Sequence, residues 1–149
     1  MVWGGFSAAG KTSLALLTGR QNSINYQETL RVHLLPFTNR IMNGAFVFQH
    51  DNASIHASAS TRAFMTDSNV AVLPWPSLSP DLNPIENLWG DMVRIIYAGG
   101  MQYEDLPELR VAILRAWDEI PVTRLLKLVS SMNDRCMDVL VNKGDKVGY

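Results

Sequence analysis

The sequence predicts a mixed α/β layer structure that opens on strands and closes on helices. Three observations carry this. The chain has 149 residues, 47% of them hydrophobic and 18% charged, enough to bury one core and too few for two substantial domains. Over the first half, short β-competent runs alternate with helical patterns. From Asn83 onward the apolar residues recur at helical spacing.

Met1–Ser7 is a short β-competent run, and Ser13–Leu17 returns after a turn at Ala8–Lys11. Asn25 opens a helix with Glu28 three residues later, the spacing of a capping box. Tyr26, Leu30, Leu34, Phe37 and Ile41 form its apolar face, and Pro36 should kink or end it. Ala45–Gln49 is expected to be a compact, buried strand that ends at His50 and Asp51. A short helix around Ser58–Thr66 and a strand at Val70–Leu73 follow. Four prolines between Pro74 and Pro84 predict a stiff, extended connection.

Asn83-Pro84-Ile85-Glu86 then reads as a helix start, with Asn as N-cap, Pro first and Glu at the third position. Ile85, Leu88, Trp89, Met92 and Ile96 are its apolar stripe, and Gly99-Gly100 stop it. Asp105 caps the next helix with Glu108 in support, and Leu106, Leu109, Ile113, Trp117 and Ile120 face inward. After Pro121, one last amphipathic helix carries Val122, Leu125, Val129, Met132, Cys136 and Val139. Cys136 is expected in the core, as are Trp3, Trp75, Trp89 and Trp117.

Composition excludes several classes. No run of about 18 apolar residues exists, which argues against a spanning helix. No basic segment leads a long apolar one at the N-terminus, so a secretory signal is not expected. The single cysteine fits a reducing compartment. The formal net charge of −1 argues against a dedicated nucleic-acid-coating domain. Charge is nonetheless uneven: residues 1–50 carry four basic groups against Glu28, whereas residues 51–100 carry five acids against Arg62 and Arg94.

Gly5-Phe6-Ser7-Ala8-Ala9-Gly10-Lys11-Thr12 satisfies the phosphate-loop pattern. That loop must follow a buried strand and open a long helix. Here four residues precede Gly5, and the SLALLTG that follows suits a strand. A hairpin turn needing Gly10 is the expected reading, with a nucleotide hydrolase as the minor alternative.

Asp51 at a strand end and Glu86 on the first turn of a helix are separated by 34 residues. Carboxylates on rigid elements are what metal-dependent phosphodiester chemistry requires, and the helix dipole favours an ionised Glu86. Each also has a plain role, Asp51 capping the next turn and Glu86 completing a cap. His50 and His56 flank Asp51 and could ligate a metal, but are expected to be hydrogen-bonding partners. Asn52 is placed to orient Asp51 or a substrate.

Phe48-Gln49-His50-Asp51-Asn52-Ala53 and the run from Trp75 to Trp89, WPSLSPDLNPIENLW, resemble the Tc/mariner group of DDE transposases. MVWGGFSAAGK resembles that family's strand-turn-strand, and the Trp117–Pro121 and Ser130–Cys136 segments resemble its helical C-terminus. The resemblance implies a ribonuclease-H-like fold, incomplete because the first central strand is missing, with a helical C-terminal tail. Residues 1–149 would then be part of a DDE transposase catalytic domain. It further implies metal-dependent cleavage and joining of DNA at transposon ends in the nucleus, with homo-oligomers possible and no membrane association. Asp51 and Glu86 match the second and third acids of the family and would hold Mg2+ or Mn2+. The family's first catalytic Asp and its helix-turn-helix region match nothing here. The isolated chain is therefore expected to be inactive, with strand edges exposed where the central strand belongs. A non-catalytic DNA-binding or self-associating module is the alternative.

Overall fold

The computed structural model describes residues 1–43 and 45–144, and it divides into two compact units. The first comprises Met1–Gly5 and Lys11–Leu78; the second comprises Phe6–Gly10 and Ser79–Tyr149.

The first unit opens on the predicted hairpin. Strands β1 (Val2–Trp3) and β4 (Ala15–Leu16) pair antiparallel, Val2 opposite Leu16 and Trp3 opposite Ala15. The chain between them turns back through β2 (Phe6–Ser7) and β3 (Gly10–Lys11), a second short pair. At its base Gly5 and Thr12 exchange backbone and side-chain bonds: Thr12 N–H donates to the Gly5 carbonyl at 2.8 Å and Gly5 N–H donates to Thr12 Oγ1 at 3.0 Å.

Helix α1 (Ser23–Thr29) begins three residues before the expected start. Asn22 is its N-cap and Asn25 its third residue, and each side chain accepts from the other's backbone N–H, at 2.9 and 3.2 Å. Asn25 therefore closes the capping box instead of opening it. Pro36 does not end the helix. The chain widens into one π-turn over Leu30–Leu34, where Leu35 N–H bonds the Leu30 carbonyl, then resumes as α2 (Leu35–Met42). A proline in an α-helix collides with the carbonyl four residues back, and the wider turn relieves that collision.

Helix α3 (Ala59–Asp67), capped by Ser58, packs on α1. Tyr26, Leu30, Leu34, Met65 and Val70 form the buried centre of this unit, with Trp3, Phe46, Phe48 and Phe64 packed against it. Strands β5 (Val47–Phe48) and β6 (Ala71–Val72) pair in parallel, extended by Leu73 N–H to the Phe48 carbonyl at 2.8 Å. The expected burial of Ala45–Gln49 holds only in part, because Phe46 and Phe48 pack on the core while Ala45 is exposed. Val47 is 63% exposed, and Ala71, Val72 and Leu73 are exposed as well. Among the described residues, no strand hydrogen-bonds the hairpin to the β5–β6 pair.

The second unit is helical. After a 3₁₀ turn at Pro80–Leu82 come α4 (Ile85–Ile96), α5 (Leu106–Glu119), α6 (Val122–Ser130) and α7 (Met132–Val141). Gly99 and Gly100, both at positive φ, stop α4 as predicted. Asp105 caps α5 as predicted, accepting from Glu108 N–H at 2.8 Å, while Glu108 reaches back to Glu104 N–H at 3.0 Å. Leu88, Met92, Ile96, Ala116, Trp117, Ile120, Leu125 and Leu128 are buried, with the Trp89 and Trp117 rings stacked 5.7 Å apart. β2 packs on α6.

Two helical expectations change. Leu106, in the first turn of α5, is exposed. The single C-terminal helix is two, divided at Ser131, and Val122 and Val129 of its expected inner face are exposed while Leu128 is buried. Arg135 is buried and Cys136 is exposed, opposite to the expected placement. No helix among the described residues is long and apolar enough to cross a membrane.

Candidate functional site

Asp51 is the third residue after β5 and lies in the first unit. Its Oδ1 accepts from Ala53 N–H at 3.0 Å, closing a tight turn, and meets His56 Nδ1 at 2.6 Å. Burial pushes the Asp51 pKa up, but the Ala53 N–H and His56 together outweigh it and hold the carboxyl below its ordinary value. Asp51 is thus ionised at neutral pH, so His56 Nδ1 is the donor in that bond. Oδ2 has no hydrogen bond to any described residue.

Behind Asp51 the two histidines and Tyr26 form a stacked cluster. The His50 and His56 rings are 5.2 Å apart and nearly parallel, and Tyr26 lies 4.0 Å from His56. Tyr26 Oη and His50 Nδ1 are 2.8 Å apart. Burial, reinforced by the Asp51 charge, pushes the phenol pKa up, so Tyr26 keeps its proton and donates it. Burial, then His56, lowers His50 to about 4 against the opposing pull of Asp51. His50 is therefore neutral, with Nδ1 as acceptor. Both histidines are hydrogen-bonded, as expected. Asn52 donates to the Trp75 carbonyl at 2.6 Å, which anchors the proline-rich connection.

Glu86 lies in the second unit, exposed on the first turn of α4. The expected Asn83 side-chain cap is replaced by a carbonyl: Glu86 N–H bonds the Asn83 carbonyl at 3.1 Å, and Pro84 occupies the cap position with no side-chain bond. Sequence reasoning missed Arg135, which reaches this turn from α7 through the Asp81 carbonyl at 2.6 Å and Asn87 Oδ1 at 2.8 Å. A polar residue inside an apolar stripe was its only sequence signal, and Cys136 masked it.

An ionised carboxylate with one oxygen uncommitted fits a hard divalent cation. Among the described residues no group of three or more His, Cys, Asp or Glu is gathered to hold a metal. The phosphate-loop reading finds no support. Lys11 lies in β3, Thr12 is buried with its hydroxyl accepting from Gly5, and β4 follows where a helix would be needed.

Residues 1–110 match the model of the DDE superfamily endonuclease family. The chain is 41% identical over 149 residues to the transposable element Tc3 transposase of Caenorhabditis elegans, covering all of this chain and 45% of that protein. It spans about half the length of the curated relatives it matches. A solved structure of the Mos1 transposase catalytic domain with raltegravir and Mg superposes with a TM-score of 0.86 at 18% identity, covering 99% of this chain and 76% of that one. The Mos1 transposase paired-end complex with left transposon end gives a TM-score of 0.86 at 19% identity, covering 99% and 44%. The fold is the ribonuclease-H-like one expected, with a helical C-terminal part.

Proposed function

Because the chain belongs to the DDE superfamily endonucleases, we propose that it is part of a transposase catalytic domain, spanning residues 1–149, that cuts and joins DNA at transposon ends. The observation that supports this most is Asp51. It is an ionised carboxylate at a strand end, held by Ala53 and His56 through one oxygen.

In this reading Asp51 and Glu86 hold Mg2+ or Mn2+. A bound divalent ion would activate a water or DNA hydroxyl and neutralise charge building on the scissile phosphate. The chain's own residues prepare for that. His56 donates to Oδ1 of Asp51 and fixes the plane of the carboxylate. His50, held by Tyr26 and neutral, adds no positive charge beside Asp51. Asn52 ties the segment after Asp51 to the connection that leads toward Glu86. DNA is the partner, a homo-oligomer the working form, and the nucleus the place of action.

The test is divalent-metal-dependent nicking of supercoiled DNA. It compares the chain with a form extended at its N-terminus by an Asp-bearing strand. Nicking is expected in the extended form and is lost on Asp51→Ala or Glu86→Ala. Nicking that survives both substitutions overturns the site.

A further inference from the structure

Arg135, 2% exposed, is the only charged residue among the described residues that is fully buried. Three of its bonds reach Ser131 and the turn that starts α4. Nε bonds Ser131 Oγ at 3.0 Å, Nη1 the Asp81 carbonyl at 2.6 Å, and Nη2 Asn87 Oδ1 at 2.8 Å. The two longer-range bonds straddle Glu86, one five residues before it and one directly after.

The turn between them needs such a hold. Pro80 and Pro84 remove backbone donors, and α4 starts on Pro84 with no side-chain cap. A helix start without a local cap frays unless something else fixes it. The planar fork of an arginine can bind two acceptors at set separation, which an ammonium cannot do.

We propose that Arg135 is a positioning residue for Glu86, clamping the Asp81–Asn87 turn so that the carboxylate leaves α4 in one direction. The proposal rests on the reading of Glu86 as a metal-holding carboxylate. Groups that orient metal-holding side chains from behind commonly change metal affinity by about 10- to 100-fold when removed.

The experiment is a calorimetric titration of the 149-residue chain with Mn2+ alone, run as a double-mutant cycle. Arg135→Gln is expected to weaken Mn2+ binding by about tenfold or more. In a Glu86→Gln background the same substitution is expected to change nothing, because the group it positions is gone. Arg135→Lys, which keeps the charge without the fork, is expected to restore binding only in part. Undiminished binding in Arg135→Gln overturns the proposal, as does an equal loss in both backgrounds or full rescue by lysine. If Arg135→Gln does not fold, Asn87→Ala cuts one prong with Arg135 in place and is run through the same two backgrounds, with a smaller loss expected. An unsubstituted chain that binds no Mn2+ overturns the metal reading itself. That failure shows before any change at Arg135, so the two are distinguishable.

Discussion

In the unit that carries Asp51, every group hydrogen-bonded to the carboxylate lies within five residues of it, whereas the turn that carries Glu86 is held by a guanidinium 48 and 54 residues further along the chain. The first arrangement is written locally: a strand end, a tight turn and a histidine one turn later. The second exists only when α7 has docked. Local fixing survives damage elsewhere in the molecule, and long-range fixing transmits it.

The largest expected effect breaks the second unit. Trp117→Ala removes the centre of the α4–α5 packing and should cost about 3–5 kcal/mol in a denaturant titration. The nuclear magnetic resonance signal of the His56 ring, which reports the Asp51 bond, should outlast it. A simultaneous loss of both would break the comparison.

Acid should act on the other side. His50 is held to about 4 in the folded chain, below its ordinary 6.5. Its contribution to stability is therefore complete above pH 6.5 and is lost as pH falls through 4. Melting temperatures measured from pH 7 down to 4 should fall over that window, and His50→Asn should flatten the fall. A profile unchanged by the substitution would remove His50 as its cause.

A smaller effect belongs to the ion pair inside the second unit. Arg124 binds Asp91 with two bonds, at 2.6 and 3.3 Å, and Arg94 meets the same carboxylate. Asp91→Ala leaves Arg124 half-buried without its acceptor and should cost about 1–3 kcal/mol by thermal unfolding. The smallest expected changes are the caps. Asn22→Ala and Asp105→Ala, one in each unit, should each cost about 1 kcal/mol. Chemical denaturation that gives either one several times that value would mean the cap also serves a tertiary contact.

The same local-versus-distant contrast explains what could be read in the chain itself. The Asp105–Glu108 cap, the helix around Ser58–Thr66, the hairpin around Ala8–Lys11 and the Gly99-Gly100 stop involve residues close in sequence, and all stand where their spacing put them. Asn25 was misassigned because two asparagines three residues apart can each look like the cap, and only the backbone decides between them. Ala45–Gln49 has the composition of a buried strand, but burial of a strand depends on neighbours that its own sequence does not describe. Arg135 was illegible because its partners on the Asp81–Asn87 turn lie 54 and 48 residues away. A stripe drawn through Val129 and Cys136 runs one residue beside the buried Leu128 and Arg135 on both sides of Ser131. The groups that hold Asp51 and the Glu86 turn, Ala53 with His56 and Arg135, are set by side-chain contacts that spacing does not show.

The π-turn at Leu30–Leu34 has a consequence for length variation. A wide turn is one residue more than an α-helix needs, so it behaves as a splice in which a residue has been inserted without turning either flank. Tyr26 on one side, packed on His56, and Phe37 on the other, both buried, keep their headings because the surplus is absorbed between them. Removing one residue from within Leu30–Leu34 would close the splice and leave both headings intact. Removing one from Ser23–Thr29 would rotate Tyr26 by roughly 100° about the axis, and with it the floor on which His50 and His56 stack.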